Sequence, residues 1–152
     1  LFRSDWDNII GTNLTGAMHA CRVFGAPMLA QTYGRIITVA SLASFVGFFE
    51  VAAYTASKAA VAGLTRALAV EWAPYNVTVN AIAPGVFRTD MNSKLIDSPR
   101  GQELIERTPM NRFGNVEELI PAAVFLASDA ASFVTGQVIA VDGGFLASGV
   151  NQ

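Results

Sequence analysis

The chain has 152 residues, 52% of them hydrophobic and only 14% charged, which is material for one substantial core and excludes disorder as the default state. A formal net charge of −2 offers no basic field to phosphate backbones or anionic membrane surfaces, so neither nucleic acid nor a membrane is an expected partner. The single cysteine, Cys21, excludes an internal disulfide and a multi-cysteine metal site; no metal is expected.

Apolar runs stop well short of the ~20 residues a membrane span needs, and a reducing, cytoplasmic setting fits one domain over residues 1–152. From Ser4 to Thr32 the pattern predicts a helix. Asp5, Asp7 and Asn8 crowd its start, Leu14, Met18, Val23, Met28 and Leu29 supply apolar positions, and Gly34 ends it. Residues 35–41 form a short β-branched run that reads as a buried strand with Ser41 at its carboxyl end. Residues 41–52 read as a loop. Ala53 to Trp72, rich in Ala and Leu and followed by Pro74, predicts a long helix.

Val77 to Ala83 is a second buried strand, stopped by Pro84-Gly85, and completes a βαβ unit. The polar, proline-bearing stretch from Gly85 to about Gly114 is too long for a tight connection and reads as a substrate lid. Val116 to Ser128 predicts a helix, with Asn115 as its cap and Glu117 and Glu118 in its first turn. Gly136 to Val141 is a third strand. This alternation implies an α/β fold, a parallel sheet covered on both faces, with ligands beyond the carboxyl ends of the strands.

Tyr54 and Lys58 are four apart on the long helix and share a face. Alone, the pair is better explained as a packed ring beside a solvated ammonium. Ser41, thirteen residues before Tyr54 at a strand end, changes that balance, because such ends gather reactive groups around a ligand. Ser41 itself is either a donor fixed there or a cap for the following turn. Asn13 is unfavourable within a helix, which implies a cap, a kink or a water-binding site. Pro84-Gly85 either ends the strand or lets backbone approach a flat ring.

Other residues divide between two readings. Arg88 and Arg112 either meet a carboxylate or lie solvated. Phe48 and Phe49 wall a pocket or belong to core or interface. Glu71, Trp72 and the Ala-rich run 52–69 serve core packing or a homo-oligomer contact. His19 reads as a surface residue and Cys21 as a packed thiol, while Asp142-Gly143-Gly144 reads as a structural turn.

Taken in order, Asn13-Leu-Thr-Gly, Gly34-Arg-Ile-Ile-Thr-Val-Ala-Ser41, Tyr54-Thr-Ala-Ser-Lys58-Ala-Ala, Asn80-Ala-Ile-Ala-Pro-Gly85, Thr89 and Asp142-Gly-Gly144 resemble the short-chain dehydrogenase/reductase family. The resemblance implies part of a Rossmann-like, doubly wound parallel sheet. It also implies an NAD(P)-dependent oxidoreductase that moves a hydride between nicotinamide and a carbonyl or secondary alcohol. Tyr54 would be the general acid/base, Ser41 would polarise the substrate oxygen, Lys58 would hold the nicotinamide ribose, and Asn13 would bind a relay water. Tyr54, Lys58, Pro84, Gly85, Val86 and Thr89 would contact NAD or NADP, in a homo-oligomer, dimer or homotetramer.

The chemistry agrees, since reducing a carbonyl needs a hydride and a proton, and an ammonium beside a phenol favours the phenolate. Residues 107–114 and 141–148 look similar to those of sugar-acid and polyol dehydrogenases, and also of 3-oxoacyl carrier-protein reductases. A scaffold chain or an inactive fragment is the rival, but it leaves Asn13, Ser41, Tyr54 and Lys58 without a task. No Gly-rich phosphate-binding turn precedes Asn13, and the first residue is Leu1. The chain is therefore expected to be a fragment that lacks the first βαβ units, inactive alone, with an exposed flank on the 35–41 strand.

Overall fold

A computed structural model describes residues 3–149. In place of one α-helix over Ser4–Thr32, α1 (Arg3–Ile10) and α2 (Gly16–Ala30) are joined by a turn of π-helix over Gly11–Thr15. The Gly16 N–H donates to Gly11 O, the wider bond that marks such a turn. Asn13 sits in the middle of it.

Strand β1 (Gly34–Val39) is followed by a 3-10 turn at Leu42–Ser44, then α3 (Ala52–Trp72), then β2 (Val77–Pro84). The strand expected over 35–41 thus stops at Val39, and Ser41 lies two residues beyond its end. The expected lid carries two short helices, α4 (Ser93–Ile96) and α5 (Pro99–Glu106). The helix expected from Val116 opens as a 3-10 turn, Val116–Leu119, and becomes α6 only over Ile120–Ala127. Pro121 accounts for the change: it falls in the first turn of α6, where a missing N–H costs nothing. The chain closes on β3 (Val138–Val141).

The three strands are parallel in the order β1-β2-β3, with Val39 opposite Ile82 and Pro84 opposite Val141. Both faces are covered, because β2 alternates its apolar residues between two layers. On one face Val77, Val79 and Ala69 pack with Met28, Leu29, Ile36, Leu68 and Trp72, from α2, α3 and β1. On the other, Leu126 of α6 and Ala131 pack on Ile82 with Ile37, Ile139 and Val141. Trp72 is a core residue here: a Cβ on Gly25 would stand 2.5 Å from its ring, so the indole fills the gap between α2 and α3. Its assembly reading is thereby displaced. Among the described residues no strand pairs with the outer edge of β1, where Val39 is 61% exposed.

Leu126 is fully buried, so Leu126→Ala is expected to cost about 2–5 kcal/mol of unfolding free energy. Denaturant titration of the two proteins checks this, and a loss below about 1 kcal/mol would show that the α6 layer is not a packed core.

Candidate active site

The first turns of α3 hold Tyr54 and Lys58, both half-buried. The Lys58 Nζ lies 5.8 Å from the centroid of the Tyr54 ring and donates to Val39 O at 2.8 Å, at the end of β1. Burial pushes the Lys58 ammonium below its ordinary pKa, because removing water penalises the charged form. The Val39 carbonyl returns part of that loss as a charge-assisted hydrogen bond.

Between these two residues stands Ser57, fully buried. Its hydroxyl donates to Tyr54 O at 2.7 Å and accepts from Asn13 Nδ2 at 3.0 Å. The π-turn is what brings Asn13 to this contact, since a widened turn pushes its residues outward from the regular helix path. Asn13 is therefore tied to α3 by a protein hydroxyl.

Ser41 is extended (φ −167, ψ 166), and its Oγ accepts the Ala43 N–H at 3.1 Å. The capping role is thus real. It uses only a lone pair, so the hydroxyl proton is still available to a ligand. Two further serines, unremarked in the sequence, complete the arrangement: Ser57, and Ser44, whose Oγ accepts from Ser41 N at 3.3 Å and donates to Lys58 O at 2.7 Å. The available signals were slight, a Ser-x-x-Ser spacing for Ser44 and a position beside Lys58 for Ser57.

The register of β1 with β2 sets Ser41 level with Pro84. Gly85 follows, and its N–H donates to Val141 O at 2.8 Å. A Cβ there would come within 2.7 Å of Asp142 Cα, so the strand-end packing alone requires glycine. Val86 O accepts from Gly114 N, and exposed Thr89 donates its N–H to Asn92 Oδ1 at 2.9 Å. Asp142-Gly143-Gly144 is a structural turn: the Asp142 carboxylate takes the N–H groups of Gly144 and Leu146, and both glycines have positive φ.

A cleft of about 800 Å³ opens between the loop before α3, helix α5 and the chain end. Phe48 and Phe49 wall it, the Phe48 ring 6.1 Å from that of Phe145. Arg100 of α5 reaches Phe49 O at 2.9 Å, and Arg107 pairs with Glu103 at 3.0 Å. Arg112 meets a carboxylate of this chain, at the surface. It is held in a fork by Glu118 at 2.7 and 2.8 Å, and Glu118 also accepts the Asn115 N–H at 2.8 Å. The Arg112 guanidinium, with that N–H, pulls the Glu118 pKa down to about 2. Arg88 is exposed. His19 is exposed and Cys21 buried, burial pushing the thiol pKa up. Among the described residues no group of side chains is placed to hold a metal, and no helix is long and apolar enough to cross a membrane.

Residues 1–146 match the family described as enoyl-(acyl carrier protein) reductase. The chain is 41% identical over 140 residues to the NAD-dependent glycerol dehydrogenase of Listeria innocua, covering 92% of this chain and 55% of that protein. It is 43% identical over 145 residues to the 2-dehydro-3-deoxy-D-gluconate 5-dehydrogenase of Dickeya dadantii, covering 94% and 57%. The crystal structure of a gluconate 5-dehydrogenase from Burkholderia cenocepacia, in complex with NADP and tartrate, superposes with a TM-score of 0.95 at 38% identity, over 97% of this chain and 58% of that one. The chain therefore spans little more than half the length of the curated relatives it matches.

The Glu118 pair has a pH signature. Its folded pKa of about 2 lies below the ordinary value of about 4.3, so its contribution is complete above about pH 4.3 and is lost as pH falls toward 2. Thermal midpoints of the unsubstituted protein should fall more steeply across that window than those of Glu118→Gln, modestly and less so in high salt, because the pair is solvent-exposed. Parallel curves would count against the pairing.

Proposed function

This chain belongs to the short-chain dehydrogenase/reductase family, and on that footing we propose that it supplies the reactive centre of an NAD(P)-dependent oxidoreductase acting on a carbonyl or secondary alcohol. The carrying observation is that one turn of α3 is held on two sides, by Asn13 on Ser57 and Ser57 on Tyr54 O, and by Lys58 Nζ on Val39 O at the end of β1, two residues before Ser41. A scaffold needs none of these polar groups at a strand end.

The residues present fit the nicotinamide half of a dinucleotide. The Lys58 ammonium and Tyr54 phenol stand beside one strand end, and Pro84, Gly85, Val86 and Thr89 follow the end of the next. NAD or NADP bound there would donate or accept the hydride. The chain's own residues handle the proton. In the reducing direction the Tyr54 hydroxyl gives its proton to the substrate oxygen, and Ser41 donates a hydrogen bond to that oxygen as charge develops. Lys58 favours the phenolate left behind, and its burial-lowered proton affinity suits it to pass a proton on. A water held by the Asn13 amide oxygen would return one from solvent.

For the substrate, a sugar acid or polyol agrees best with the relatives, named for glycerol and 2-dehydro-3-deoxy-D-gluconate, and with a neighbour that binds tartrate. The cleft agrees with a polyhydroxylated substrate, setting Phe48 and Phe145 beside polar Arg100 and the Arg107–Glu103 pair. Assembly with further copies, as a dimer or tetramer, is supported by the exposure of Val70, Ile120, Val124 and Phe133.

The test is Tyr54→Phe in the protein as its cell produces it, assayed by nicotinamide absorbance with gluconate, glycerol and D-threitol. A loss of about 100-fold or more in kcat is expected from removing a general acid/base. Rates equal to those of the unsubstituted protein would overturn the mechanism.

A further inference from the structure

The Ser44 hydroxyl serves its own turn and a distant partner at once. The 3-10 turn at Leu42–Ser44 is already closed by the Ser44 N–H on Ser41 O at 2.9 Å and by the Ala43 N–H on Ser41 Oγ. The Ser44 side chain completes the capping box of this turn and also reaches beyond it. It accepts the Ser41 N–H at 3.3 Å and gives its single proton to Lys58 O at 2.7 Å, across fourteen residues of sequence. One small group thus joins the backbone of the residue assigned to the substrate oxygen to the backbone of the residue that carries the charge.

We infer that Ser44 is a positioning residue for the reaction, setting the separation of Ser41 from the Tyr54–Lys58 turn of α3. The inference rests on the oxidoreductase reading. Its physical basis is the place of Ser41 past the end of β1: Ala40 N–H bonds Ile82 O and Lys58 Nζ reaches Val39 O, whereas the Ser44 hydroxyl ties the Ser41 backbone itself to α3, on a loop that continues to Val51. Lys58 O also accepts in the regular i to i+4 pattern of α3, so deleting the Ser44 hydroxyl orphans no carbonyl and leaves the helix intact. What is lost is alignment, and small misplacements of reacting groups cost rate far more than they cost folding.

The experiment uses Ser44→Ala, Ser44→Thr and Ser44→Cys in the protein as its cell produces it, with Tyr54→Phe alongside, measuring kcat, KM for NAD and NADP, and thermal midpoints. Counted per folded enzyme at a temperature well below its thermal midpoint, Ser44→Ala should lower kcat about tenfold with cofactor KM unchanged within about twofold, which loss of folded protein does not produce. Ser44→Thr, which keeps the hydroxyl, should restore kcat to within about threefold, while near-isosteric Ser44→Cys, a weak donor, should behave as Ala does. The Cys variant carries the comparison if Ala does not fold. Unchanged kcat in Ser44→Ala or Ser44→Cys, or a Thr variant as slow as Ala, would overturn this inference while loss in Tyr54→Phe leaves the oxidoreductase reading standing. Full activity in Tyr54→Phe would overturn both.

Discussion

Every residue of β2 from Val77 to Ala83 is buried, and the strand is bonded on both edges, to β1 through Val77–Ile82 and to β3 through Ala81–Pro84. A strand so placed has no water to satisfy its peptide groups, so register with its neighbours is obligatory. That obligation sets Val39 opposite Ile82 and hence brings Ser41 beside Pro84. It also explains Asn80, a fully buried amide in an apolar strand. Its Nδ2 donates to Val134 O and its Oδ1 accepts the Gln137 N–H, so the turn before β3 is sewn to the core. Left unpaired, such a group would cost about 1–3 kcal/mol.

The Tyr54–Lys58 turn of α3 inherits its position from this arrangement. Ala69 packs on Val77 and Val79 and anchors the far half of α3, while Lys58 and Ser57 fasten the near half to β1 and to the π-turn. Burial and charge oppose one another at Lys58, and the carbonyl of Val39 moderates the conflict without removing it. Arg112 and Glu118 show the opposite regime. Their pair is stronger in geometry but lies in solvent, where screening leaves it little energetic weight.

Elements governed by local pattern were legible in the sequence. The β-branched runs gave β1 and β2, and the uninterrupted Ala-rich run gave α3 to within a residue. Asn13, Ser41, Tyr54 and Lys58 were singled out by their order along the chain, and the structure ties Asn13 to the Tyr54–Lys58 turn through Ser57. What escaped depends on distant contacts. The π-turn adds one residue to a helical circumference without disturbing hydrophobic period enough to be read. Ser44 and Ser57 are ordinary small residues until their partners, fourteen and forty-four positions away, are placed beside them. The fork of Arg112 on Glu118 and the packing of Trp72 against Gly25 of α2 likewise depend on contacts that local sequence does not display.

The bridge between Phe87 and Gly114 is a single point of parallel pairing, secured by the Arg88 N–H on Gly114 O and the Gly114 N–H on Val86 O. It closes the neck of the whole excursion that carries α4 and α5. The Phe87 ring lies flat on Gly114, where no Cβ intervenes. A neck sealed so near the sheet insulates β2 from whatever the excursion does, and lengthening a closed loop costs little additional entropy. The stretch that carries α4 and α5 can therefore change length while β2 keeps its register, whereas buried Thr108 and Phe113 hold its return to the sheet.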